Sequence, residues 1–266
     1  MKSLKNRPIG IFDSGVGGLT VARSVRKELP DEDIIYFGDT ARVPYGNKSK
    51  DTIIRFSREI MSFMMDMNVK MVVIACNTAS SLSLASLKRY YSIPVVGVIN
   101  PGVEEALRLS KSGRIGVIGT SSTVSSGTYG KELKRNDPSC KVFSKSCPLF
   151  VPLVENRFFS SPVTRQVAGM YLKDLKKKKI DTLILGCTHY PILKTVIGKT
   201  MGSTKLVDSS LAVAKYVKKI LEKDDLKTLS KKKGKTRYYV SDDPKGFSKV
   251  AGIFLKEKIK ANKANL

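Results

Sequence analysis

Two cysteines of this chain stand in near-copies of one phrase. VVIACNTASSL spans residues 72–82 and LILGCTHYPIL spans residues 183–193. Each is an apolar run that ends in a small residue, a cysteine and a threonine within two positions. A thiol becomes a base and nucleophile only when ionised, and a helix N-terminus favours that form. Acyl transfer needs one cysteine, a histidine and an oxyanion hole. Cys187 and His189 lie two positions apart and allow that reading locally, but it leaves Cys76 without work. Dithiol redox chemistry usually carries a C-x-x-C pair, and none occurs here. Proton transfer at a stereocentre needs a base on one face and an acid on the other. That chemistry uses Cys76 and Cys187 symmetrically, as the sequence presents them.

The neighbours support a chemical role over simple burial, the common fate of a free cysteine. Asn77 and Thr78 follow Cys76, and Thr188 and His189 follow Cys187. Both cysteines read as lying just before or at the start of a helix, over 77–91 and 188–200, where exposed N–H groups also receive a carboxylate. Cys140 and Cys147 lack polar neighbours of this kind and read as structural. Without paired ligand spacing, no metal site is read around His189.

The elements that must hold these thiols repeat as well. RPIGIFDSGVGGLTV (7–21) resembles GRIGVIGTSSTVSS (113–126), each a short strand, a tight turn and a helix. With Asp13 matched to Thr120, 63 positions lead to Cys76 in one copy and 67 lead to Cys187 in the other. Val-Pro pairs fall between them at matching places, in VPYGN (43–47) and VPLVEN (151–156). An internal duplication follows. Strands are expected at 9–12, 34–37, 71–75 and 95–98, then at 115–118, 141–144, 182–185 and 205–207. Helices are expected between them, for example at 18–28, 50–67 and 163–177. The tail adds a helix, a basic loop, a strand and a last helix. Apolar strands separated by helices imply parallel sheets covered on both faces. The expected fold is α/β: two similar doubly wound parallel-sheet domains related by pseudo-twofold symmetry. The first comprises 1–99 plus 208–266 and carries Cys76; the second comprises 100–207 and carries Cys187. Ligands of such sheets bind beyond the carboxyl ends of the strands, so the active site is expected in the cleft between the domains. Asp13 could equally be the N-cap of the helix after its glycine turn. GVGG (15–18) lacks the G-x-G-x-x-G pattern and a Walker lysine and reads as a tight turn beside the ligand.

Bulk properties bound the function. The chain has 266 residues, 41% of them apolar, with four cysteines and a formal net charge of +25. No apolar run reaches the ~18–20 residues of a membrane span. The run Ile9–Phe12 is too short for a signal-peptide core of roughly 7–15 residues. A cytoplasmic protein with free thiols is expected. Lysines are densest in KKKK (176–179) and SKKKGKTR (230–237). They read as a solvated surface rather than a nucleic-acid site, since no zinc-finger, helix-turn-helix or RNP signature accompanies them.

The stretches FDSGVGGLTV (12–21), YFGDTARVPYGNKS (36–49), ACNTASS (75–81) and GCTHYPIL (186–193) resemble the glutamate racemases. The likeness runs from about residue 7 to about residue 210. It implies a cofactor-independent isomerase that interconverts L- and D-glutamate and supplies D-glutamate for bacterial peptidoglycan. Carried over residue by residue, Cys76 and Cys187 become the acid/bases. Asp13 and His189 become helpers, each near one thiol. Ser14, Tyr45, Gly46, Asn77, Thr78 and Thr188, with Asp13 and His189, become substrate contacts. Thr120, Thr123 and Glu155 are weaker candidates for the cleft. The likeness further implies a homodimer, no membrane partner and no cofactor. Racemisation of aspartate is the near alternative. Binding of nucleic acid or of DNA gyrase is the alternative from another class, and it is not favoured.

Overall fold

The structure is a computed structural model and describes residues 3–266. Its strands form two parallel sheets. β1 (Ile9–Asp13), β2 (Ile34–Gly38), β3 (Met71–Ile74) and β4 (Val95–Gly97) come from the first half. β5 (Arg114–Gly119), β6 (Lys141–Ser146), β7 (Thr182–Gly186) and β8 (Lys205–Val207) come from the second. β9 (Thr236–Val240) and β10 (Ala261–Lys263) close the chain. The sheet orders are β10-β9-β2-β1-β3-β4 and β6-β5-β7-β8. The second, first, third and fourth strands of each half thus stand in the same spatial order. The eight strands expected before the tail are each present within two residues of their expected bounds, and the tail strand, expected over RYYVSDD (237–243), ends at Val240. β10 is an addition, because ANK carries no apolar or β-branched signal.

The helices are α1 (Leu19–Glu28), α2 (Lys50–Asp66), α3 (Asn77–Tyr90), α4 (Ile99–Leu109), α5 (Ser121–Ser125), α6 (Thr128–Asn136), α7 (Phe150–Glu155), α8 (Pro162–Lys177), α9 (Lys194–Met201), α10 (Ser209–Lys223) and α11 (Pro244–Leu255). Their sequences say where they begin. Ser49, Thr120, Ser161 and Asp208 each cap a helix, accepting a hydrogen bond from a backbone N–H of its first turn, which satisfies one of the donors that a helix start leaves free. α2 turns Ile53, Phe56, Ile60, Met61 and Met64 inward, the i, i+3, i+4 spacing of one helix face. Burying each is worth about 1.5–3 kcal/mol. β1, β2, β3 and β7 are buried along their whole length. β6, an edge strand, is only partly covered. One apolar core runs from the first sheet through α1 and α10 to β7 and α8, which ties the two halves together. No helix among the described residues is long and apolar enough to cross a membrane.

Candidate active site

The C-terminal ends of β1, β3, β5 and β7 open on one cavity of about 370 Å³. β1 delivers Ser14 and Gly15, and β3 delivers Cys76 with Asn77 and Thr78. β5 delivers Thr120, and β7 delivers Cys187, Thr188 and His189. The Val-Pro segments supply Tyr45 and Gly46 on one side and Glu155 on the other, and all of these line the cavity. One thiol therefore enters from each sheet. Asp13 and Thr123, although singled out from the sequence, stand behind the wall, and both are fully buried. Val43, Pro44, Asn47, Ser121, Pro148, Val151 and Pro152 complete the lining. The signal that could have found most of them was the repeated Val-Pro pair, which served in the sequence only to align the halves.

The two thiols are not built alike. Cys76 is the N-cap of α3, and its Sγ accepts from Ala79 N–H at 3.5 Å. Cys187 lies in a turn before a short 3-10 segment, Tyr190–Leu193, and α9 begins only at Lys194. The expected helix start at Cys187 is thus wrong: Pro191 and the turn bonds Tyr190 N–H to Cys187 O and Ile192 N–H to His189 O delay the helix. In place of a helix end, Cys187 Sγ faces His189 Nδ1 at 3.9 Å. His189 Nε2 faces Glu155 Oε1 at 3.1 Å. The ring is thereby held between sulfur and carboxylate. Gly17 makes this possible, because any side chain there would collide with Thr188 and His189.

Asp13 is not an N-cap either. Gly18 precedes α1 without a side-chain cap bond. The Asp13 carboxylate instead accepts from Gly15 N–H at 3.0 Å, and Tyr36 Oη donates to Gly15 O at 2.7 Å. Together they pin the glycine turn. Thr188 Oγ1 reaches Asp13 Oδ1 at 3.5 Å from the other half.

Charge follows from these contacts. Burial, then the Asp13 carboxylate, push the Cys76 thiol up to about 12, against the Ala79 N–H and Ser14. The expected lowering by the helix end is therefore overturned, because desolvation and a like charge outweigh one N–H donor. Burial raises Asp13 as well, opposed first by the charge on His189. Burial alone would lower His189, but hydrogen bonds to Cys187 and Glu155 outweigh it and raise the ring to about 10. An imidazolium at this place stabilises negative charge on the Cys187 sulfur.

The polar wall is nearly closed on itself. Thr78 Oγ1 pairs with Thr120 Oγ1 at 2.9 Å and with Thr123 Oγ1 at 3.2 Å. Ser122 Oγ donates to Gly46 O at 2.7 Å. These bonds join the halves beside the thiols. The exception is Asn77, whose Nδ2 is buried and unpartnered. Among the described residues, no group of three or more His, Cys, Asp or Glu is placed to hold a metal.

Fold and site together define an α/β enzyme with two thiols at one cavity. The sequence model for Asp/Glu/Hydantoin racemase matches residues 19–217, and the chain belongs to that family. It is 50% identical over 254 residues to a glutamate racemase of Geobacter metallireducens, covering 95% of this chain and 94% of that one. Among solved structures, a glutamate racemase isoform of Bacillus anthracis superposes with a TM-score of 0.96 at 39% identity, covering 98% of both chains. That of Francisella tularensis in complex with D-glutamate gives 0.92 at 40% identity, again over 98% of both.

Proposed function

We propose that this chain is a glutamate racemase that interconverts L- and D-glutamate by proton transfer between Cys76 and Cys187. The observation that carries the reading is one thiol from each sheet at a single cavity. Glutamate docks with its Cα between the sulfurs. The N–H groups at the start of α3, with Asn77, Thr78 and Thr188, receive its carboxylates, and Ser14, Tyr45, Gly46 and Thr120 shape the rest of the cavity.

In one direction, the Cys187 thiolate removes the Cα proton while His189 stays protonated beside it. The Cys76 thiol, held neutral by burial, returns a proton to the opposite face. In the reverse direction, Cys76 removes the proton, and Asp13 beside it tunes its protonation. The carbanion-like state is stabilised by fixed donors around the sulfurs, so the thiols carry the chemistry with no cofactor. The D-glutamate made supplies bacterial peptidoglycan synthesis.

The division into 1–99 with 208–266 and 100–207 belongs to the same reading, with the halves related by a pseudo-twofold axis. It is supported by β9 and β10 joining the first sheet. A cytoplasmic homodimer is the assembly proposed. Gyrase or nucleic-acid binding is not needed for any part of it.

Exchange of the glutamate Cα hydrogen in deuterated water, without added cofactor, tests the mechanism. The wild type is expected to racemise with incorporation of solvent deuterium. Cys76→Ala and Cys187→Ala are each expected to abolish racemisation. No exchange from either enantiomer of glutamate would reject the substrate, and aspartate would be tried next.

A further inference from the structure

Asn77 and Tyr129 form a buried pair across the two halves. Tyr129, on α6, donates through Oη to Asn77 Oδ1 at 2.7 Å, and each residue is 2% exposed. The phenol makes no other hydrogen bond among the described residues. Its proton is therefore satisfied only when the carbonyl end of the amide faces it. An amide side chain carries one acceptor and two donors at opposite ends, so fixing Oδ1 on Tyr129 also fixes where Nδ2 points. That nitrogen is buried and unpartnered, although buried polar groups are nearly always paired. Asn77 lines the cavity and Tyr129 does not. The ring of Tyr129 has its place because Gly186, just before Cys187, has no side chain: a Cβ there would lie 3.1 Å from Tyr129 Cε2.

The geometry points to Tyr129 as a positioning residue that locks the Asn77 amide with its N–H₂ presented to a carboxylate of the substrate. This rests on the glutamate reading above. Without the phenolic proton, the amide turns freely, and its carbonyl competes for the place of the donor. The lock spans the halves, so it also orients the amide only when α6 and α3 are correctly docked.

The test is Tyr129→Phe, which keeps the ring, with steady-state kinetics from both enantiomers. The expected result is a KM raised about tenfold, the loss of one well-placed hydrogen bond, with kcat changed less than about threefold. In an Asn77→Ala background, Tyr129→Phe is expected to raise KM no further, because the residue acts through the amide. An unchanged KM in Tyr129→Phe overturns the proposal. So does a kcat loss with KM intact, or an equal KM increase in both backgrounds; each indicates a merely structural role. If Tyr129→Phe does not fold, Asn77→Asp decides, since it keeps the acceptor for Tyr129 and removes the amide donor. A wild-type KM there overturns the proposal, and a KM raised tenfold or more supports it. Wild-type protein that fails to racemise glutamate at all would reject the glutamate reading itself, and is distinguished by that control.

Discussion

His189 is the chain's single histidine, and burial alone would keep it neutral. Its partners Cys187 and Glu155 hold the proton on it up to about 10. A group raised on folding stabilises fully below its unfolded value, near 6.5, and loses that contribution as pH rises through the folded value. The stability difference between wild type and His189→Gln should therefore be largest near pH 6 and shrink between about pH 6.5 and 10. Thermal melts of both proteins across that range check it, and a difference that does not vary with pH would sink the ion-pair account. Much of this site was legible in the residues themselves, because Cys-Asn-Thr and Cys-Thr-His carry polar groups that a core has no use for. The state of the Cys76 thiol was not legible. Its rise depends on Asp13, which is 63 positions away in sequence, and on burial that only packing creates.

At the scale of elements, the strands could be read because a parallel sheet covered on both faces demands continuous apolar runs. The turns after them were harder. The segment after Cys76 enters α3 at once, whereas Pro191 turns the segment after Cys187 into 3-10 geometry, and the repeat hid that difference. The wall carrying Tyr45 shows the same limit. Buried Asp39 accepts from Arg42 Nε at 2.7 Å, from Ser241 Oγ at 2.8 Å and from Tyr45 Oη. Ser241 follows β9 and lies 202 positions away, so no local pattern could announce the network. Removing one partner of a buried charged group costs about 3–5 kcal/mol. Arg42 keeps part of its hydration, which places Asp39→Ala at the lower end, about 3 kcal/mol, or a Tm about 10 °C lower. Asp39→Asn, which keeps acceptor and shape, should lose less. Calorimetry on both variants checks the order, and an equal loss would show that charge, not hydrogen bonding, holds the Tyr45 segment.

For the whole molecule, the unexplained quantity is a net charge of +25. The clusters at Lys176–Lys179 and Lys231–Lys233 are exposed. They lie outside the cavity lining, so they add nothing to the chemistry at the thiols. They do act at a distance, because glutamate is an anion and a surface of net positive charge raises its local concentration. Screening sets the reach of that field, about 20 Å at 20 mM salt and about 7 Å at 200 mM. Between these conditions kcat/KM for glutamate should fall about three- to tenfold. kcat should hold, since it is set by buried groups beyond the reach of salt. Initial rates from both enantiomers across the series give the answer. A fall in kcat/KM with kcat unchanged locates the effect in capture of the anion; it must be the same for both enantiomers, because they are equal in free energy. A kcat/KM indifferent to salt would mean that the basic surface plays no part in bringing the substrate to the cleft.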